Sequence, residues 1–181
     1  MLYLFLADGF EETEALATLD FLRRAGLMVA SVGISNKTVT GSHNITVVAD
    51  YCDSVVLPDN NCDGIVLPGG MPGTVNLEKS PVVKKFINYA FENNLLIAAI
   101  CAAPSILGHM GILNNRKAVC YDGFETQLDG AEVLNERVCR DNNIITAVGA
   151  GASLEFAQKI AEFFVGTEKA EKIKESMKCI L

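Results

Sequence analysis

Histidine is scarce in this 181-residue chain, which has two, and its six cysteines (Cys52, Cys62, Cys101, Cys120, Cys139 and Cys179) are spaced ten or more positions apart. With no Cys-x-x-Cys spacing and so little imidazole, neither a metal site nor a disulfide framework is expected. Basic charge is also short: 15 Lys and Arg stand against 22 Asp and Glu, a net charge of −7. That balance argues against nucleic acid or an anionic membrane surface as a partner, and leaves small molecules or proteins. A membrane-length apolar run is missing. Met1 to Ala7 covers about a third of a span; it lacks a basic leader and runs into Asp8, Glu11, Glu12 and Glu14, unlike a signal peptide. A cytoplasmic protein with reduced thiols is therefore expected. Linkers and low-complexity tracts are absent too, so residues 1–181 read as one domain, half of it apolar and able to bury a core.

What the chain does have is Leu95 to Leu107, Leu-Leu-Ile-Ala-Ala-Ile-Cys-Ala-Ala-Pro-Ser-Ile-Leu. Six apolar residues from Leu95 to Ile100 have the length and uniformity of a strand buried on both faces of a parallel sheet. Cys101 ends the run, and Pro104 suits a helix's first turn. The chain thus turns from strand to helix at the cysteine, in the manner of a nucleophile elbow. A helix N-terminus close by is expected to favour thiolate over thiol. The plainer reading, a buried cysteine filling a core position, is the usual one for a cysteine in an apolar run.

In chain order, Leu2 to Ala7 reads as a buried strand, and a helix follows from about Glu11 to Ala25, with Ala15, Leu16, Leu19 and Leu22 at helical spacing. Met28 to Ile34 is a second strand, Ser35 to Asn44 a polar stretch with turn residues, Ile45 to Ala49 a short strand and Gly64 to Leu67 another. A helix over about Pro81 to Asn93 precedes the central strand. Lys117 to Tyr121 and Arg137 to Arg140 look like short strands, Asn143 to Val148 is the last strong one, and helices run from Ser153 to about Val165 and from about Glu168 to Lys178. Strands alternating with helices imply an α/β fold, a mostly parallel sheet with helices on both faces and the site beyond the strands' carboxyl ends.

Three loops would meet there: Asp8 to Glu14, Pro68 to Gly73, and Cys101 to Pro104. Stabilisation of the helix dipole suffices to explain at least two of Glu11, Glu12 and Glu14. An inward-facing one beside a thiol would have a raised pKa and could donate or move a proton. Gly69-Gly70 lets main-chain N–H groups face the crevice, and the amides of Gly70 and Ala102 together could bind an oxyanion; alone, the glycine pair would be a plain tight turn. Phosphate fits poorly beside so many carboxylates, and Gly149-x-Gly151 lacks the third glycine of a dinucleotide fingerprint, so no cofactor is expected. His109 lies eight residues past Cys101, roughly 12 Å along a helix, and is read as serving that helix's C-terminus. His43, in a polar loop, reaches the site only if that loop, or a partner subunit's copy, folds over it. Without a close histidine, and with Ala102 directly after the cysteine, protease and amidotransferase readings lose ground.

Gly9-Phe-Glu-Glu-Thr-Glu14 with Arg23-Arg24-Ala25-Gly26, Val66-Leu-Pro-Gly-Gly70, Ala98-Ala-Ile-Cys101-Ala-Ala-Pro104 and Gly151-Ala-Ser-Leu-Glu-Phe156 together resemble the ThiJ/PfpI superfamily. The branch is that of the Parkinson-disease protein deglycase and bacterial ThiJ-like proteins. The resemblance covers nearly the whole chain and implies a flavodoxin-like fold and a homodimer in which the oxidation-sensitive nucleophile is Cys101, its partner carboxylate Glu14, and the oxyanion-hole glycines Gly69 and Gly70. Where well-studied animal members carry a histidine, the matching residue is Tyr121, a poor general base near neutral pH. A basic residue lent by the dimer partner corresponds to His43. The implied activity is cofactor-free conversion of small α-oxoaldehydes such as methylglyoxal to hydroxy acids, or the related action on early glycation adducts. The alternatives are a redox sensor or stress chaperone acting through oxidation of Cys101 and, last, a cysteine peptidase.

Overall fold

A computed structural model describes residues 1–179. In chain order the elements are β1 (Leu2–Leu6), α1 (Glu12–Arg24), β2 (Val29–Gly33), β3 (Thr38–Thr40), β4 (Thr46–Val48), β5 (Tyr51–Cys52), β6 (Gly64–Leu67), α2 (Gly73–Lys79) and α3 (Pro81–Glu92). They continue with β7 (Leu96–Ile100), α4 (Pro104–His109), β8 (Lys117–Ala118), β9 (Glu132–Val133), β10 (Val138–Asp141), β11 (Ile144–Ala147), α5 (Ser153–Val165) and α6 (Thr167–Ser176). Seven strands form one sheet in the order β10-β11-β7-β6-β1-β2-β5, parallel throughout except where β10 runs against β11. This is the mostly parallel sheet expected from the alternation of strands and helices, in the flavodoxin-like arrangement that the family resemblance implies.

The uninterrupted apolar strands are explained by two cores. Because successive side chains point to opposite faces, Tyr3, Phe5, Ile65, Leu67 and Ile97 pack with Leu77, Val83, Phe86 and Ile106 on one side of the sheet. Leu2, Leu4, Leu6, Val66, Leu96 and Ile100 pack with Phe21, Leu22, Phe156 and Ile160 on the other. Every residue of β1, β6, β7 and β11 is buried. Ser80 caps α3, its Oγ accepting from the Val83 amide, with Pro81 at the first helical position.

Several expected boundaries shift. Ser35 to Asn44 is not wholly loop, since it contains β3, which pairs antiparallel with β4 as a separate hairpin. The short α2, formed directly after Pro68 to Gly73, has no apolar periodicity long enough to announce it. It places Glu78 where its carboxylate meets His109 Nδ1 at 2.6 Å, so the histidine at the end of α4 is tied to a neighbouring helix. Among the described residues no helix is long and apolar enough to cross a membrane.

Candidate active site

β7 delivers Cys101 to the edge of the sheet in a conformation that few non-glycine residues adopt, with φ of +65°. Its amide still donates to the Ala147 carbonyl, continuing the ladder to β11, and its carbonyl accepts from the Tyr121 amide at 2.8 Å. Held on both sides, the residue keeps a strained backbone, which the surrounding structure must over-determine. Ala102 and Ala103, both buried, let the chain turn tightly into α4.

The loop after β6 lies against this turn. A Cβ on Gly69 would stand 2.6 Å from Cβ of Cys101 and 2.9 Å from Oε2 of Glu14, so glycine is required there by close approach alone. Gly70 has φ of +90°, and a Cβ on it would meet the Glu11 amide at 2.4 Å. The Glu11 amide in turn donates to the Gly69 carbonyl, locking the start of α1 to the loop.

Three carboxylates open α1, and the fold separates them. Glu14 is 1% exposed; its Oε2 accepts from the Gly69 amide at 2.7 Å, while Oε1 is buried without a partner among the described residues. Burial pushes its pKa up to about 7, against the lowering effect of the Gly69 amide and the Cys101 thiol. Glu12 turns the other way, under the β3–β4 turn. Burial alone would raise its pKa, but hydrogen bonds from the His43 side chain, its own amide and the amides of His43 and Ile45 bring it down to about 2. Gly41 makes room for this carboxylate, since a Cβ there would lie 2.3 Å from it.

The thiol does not behave as the elbow geometry suggests. Burial, the charge of Glu14 and the hydrogen bond to it push the Cys101 pKa up to about 12, opposed by the Ala102 and Gly70 amides that face the sulfur. The expectation of a thiolate favoured by the helix N-terminus is thus corrected. α4 has six residues and a correspondingly small dipole, and a like charge in a desolvated pocket outweighs two amides. Near neutral pH the pair therefore carries no more than one negative charge, gained as pH rises through about 7.

The other candidates fall into place around this pair. Of the amides considered for an oxyanion, that of Gly69 is occupied by Glu14, and those of Gly70 and Ala102 face the sulfur. Tyr121 is 53% exposed. Its ring packs over Gly149: the point where a Cβ would sit on Gly149 is 3.2 Å from Tyr121 Cδ2 and 3.9 Å from Cys101 Sγ. Gly149 is therefore a site residue that sequence reasoning missed, having considered that turn only as an incomplete dinucleotide motif. His43 is held by its own chain, with Nδ1 3.0 Å from Glu12 Oε2 and 3.3 Å from Glu11 Oε2, and Glu12 raises its pKa. Glu11, Glu12 and His43 also bring possible metal-ligand atoms within 4.8 Å of one another. A cavity of about 660 Å³ lies elsewhere, lined by Leu154, Gln158, Glu171 and Lys174 among others. It contains none of the convergent polar groups, so the chemistry is assigned to the elbow.

The model of the DJ-1/PfpI family matches residues 1–163. Protein dj-1beta of Drosophila melanogaster is 35% identical over 171 residues, covering 93% of this chain and 91% of the relative. A protein of Caenorhabditis elegans named glutathione-independent glyoxalase DJR-1.2 is 33% identical over 167 residues, covering 92% and 89%. Among solved structures, oxidized Toxoplasma gondii DJ-1 superposes with a TM-score of 0.93 at 35% identity, over 97% of this chain and 96% of that one.

Proposed function

The chain belongs to the DJ-1/PfpI family, and from that premise we propose that it is a cysteine-dependent glyoxalase or deglycase acting on small α-oxoaldehydes or early glycation adducts, with Cys101 as nucleophile and Glu14 as general acid and base. The observation that carries this reading is the pairing of a strained, partly exposed thiol with a buried carboxylate whose pKa is raised to about 7. A base of that strength is matched to work near neutral pH.

In the proposed reaction Cys101 Sγ attacks the aldehyde carbon of methylglyoxal while the Glu14 carboxylate takes the thiol proton. The developing oxyanion is held by the amides of Gly70 and Ala102, which already face the sulfur. Proton return to that oxygen gives a hemithioacetal. Glu14, again a carboxylate, removes the hydrogen from the former aldehyde carbon, and the resulting enediol is reprotonated at the adjacent carbon. This yields a lactoyl thioester, which water cleaves to lactate and free thiol. The balance is one methylglyoxal plus one water to one lactate, with no redox co-reactant and no cofactor.

We place this activity in a single-domain homodimer of the cytoplasm, a compartment that suits six free cysteines. Lactate formation by metal-stripped protein, compared with Cys101→Ala and Glu14→Gln, tests the reading. Loss of turnover in both variants is the expected result, and no turnover in freshly reduced wild type overturns it. A second reading, oxidation of Cys101 by two equivalents of peroxide to a sulfinate hydrogen-bonded by protonated Glu14, draws support from the oxidized state named for the Toxoplasma gondii relative. Selective addition of two oxygens at Cys101 without aldehyde turnover would favour it.

A further inference from the structure

We propose that Glu11, Glu12, Ser42 and His43 form a binding site for one small divalent transition-metal cation of the zinc class, separate from the Cys101 centre. The four side chains come from two loops, the start of α1 and the β3–β4 turn, and their polar atoms converge. His43 Nδ1 is 3.0 Å from Glu12 Oε2 and 3.3 Å from Glu11 Oε2. Ser42 Oγ is 3.3 Å from Glu11 Oε2, 3.4 Å from Glu12 Oε2 and 3.2 Å from His43 Nδ1. These five separations average about 3.2 Å, the spacing between neighbouring ligand atoms around a tetrahedral ion with bonds of about 2.0 Å, the length of zinc bonds to imidazole or carboxylate.

The rest of the cluster is arranged as a support for those atoms. Glu12 Oε1 accepts from the amides of His43 at 2.8 Å and Ile45 at 3.3 Å, which fixes the carboxylate and turns Oε2 towards the imidazole. Outer hydrogen bonds of this kind orient ligands in metal sites. Gly41 supplies the space, since any side chain there would collide with the carboxylate of Glu12. The donors, one imidazole and two carboxylates, balance a divalent charge, and the nitrogen favours a transition metal over magnesium or calcium. The bland alternative is a protonated His43 that simply neutralises the two carboxylates. Both occupants relieve the same repulsion, and only one of them is displaced by a chelator.

The two histidines of the chain make the test direct. Adding Co²⁺ to wild-type protein is expected to shift and broaden the imidazole resonances of His43 and to leave those of His109 in place. In equilibrium dialysis against Zn²⁺, wild type is expected to retain one equivalent more than His43→Ala, a difference in which binding to the free thiols cancels. His43 is exposed, so the variant is expected to fold, and the resonance shift in wild type is independent of it. Zn²⁺ should shift the Tm of wild type upward relative to that of His43→Ala at the same concentration, a difference in which binding to the shared thiols again cancels. Equal zinc retention by the two proteins, or His43 resonances indifferent to Co²⁺, would overturn the proposal.

Discussion

The Gly69 amide and Glu14 Oε2 are joined by a 2.7 Å hydrogen bond across 55 positions of sequence, and that bond holds the carboxylate beside Cys101. It exists because Gly69 has no side chain: a Cβ would intrude on both the oxygen and Cys101. Gly69→Ala is therefore expected to destabilise the fold by about 1–3 kcal/mol and to lower kcat/KM for methylglyoxal by roughly a hundredfold through misplacement of the pair. Urea unfolding and the lactate assay read the two effects separately.

Ionisation of Glu14 should set the pH dependence of catalysis. As the general base that accepts the thiol proton, it works only when deprotonated, so kcat/KM is expected to rise with pH through about 7. Glu14→Gln should remove this limb and lower the rate by about two to four orders of magnitude. A pH profile that keeps the limb in the variant would remove Glu14 from the mechanism.

The same substitution should make the thiol more acidic while making the enzyme less active. Burial and the Glu14 charge together hold the Cys101 pKa up to about 12. With the charge gone, the midpoint of its thiolate absorbance titration is expected to fall in Glu14→Gln relative to wild type. An unchanged midpoint would mean that burial alone sets the value.

Stability should respond to Glu14 in a definite direction. Its pKa is about 7 in the fold against an ordinary 4.5, so its stabilising contribution is complete below pH 4.5 and is lost as pH rises through 7. At 1.4 kcal/mol per unit the loss amounts to about 3 kcal/mol. Glu14→Gln keeps an oxygen for the Gly69 amide and should be more stable than wild type at pH 8 by up to about that amount, the difference closing near pH 4.5. Denaturant titrations at the two pH values check it.

Tyr121, with its ring against Gly149 beside the sulfur, is expected to restrict access to Cys101. Tyr121→Ala should speed peroxide oxidation of Cys101, followed by intact mass, by roughly fivefold. Tyr121→Phe preserves the ring and should oxidise at the wild-type rate; a slow Tyr121→Ala would exclude the shielding role.

Much of this fold was legible in the chain itself. Apolar runs such as Leu2 to Ala7 and Leu95 to Ile100 can be satisfied only in a sheet covered on both faces, and Cys101 followed by Ala-Ala-Pro already marks a sharp turn from strand to helix. These are local signals, carried by side-chain type and spacing over a few residues. Of the β3–β4 hairpin, β4 was legible as Ile45 to Ala49, and β3 escaped because it is only three residues long, two of them threonine. α2 escaped because seven residues are too few to display a period.

Electrostatic character was decided by tertiary structure. Glu11, Glu12 and Glu14 sit in one stretch and look alike in sequence, yet Glu12 is drawn down to about 2 by groups near His43 and Glu14 is pushed up to about 7 by burial. The thiol at the elbow, read from its neighbours as acidic, is held in its protonated form by burial and by Glu14, 87 positions away in the chain. Hydrophobic burial depends on composition and period, which a sequence carries openly. A charge depends on which groups stand within a few ångströms of it, and here those groups come from loops that only the closed fold brings together.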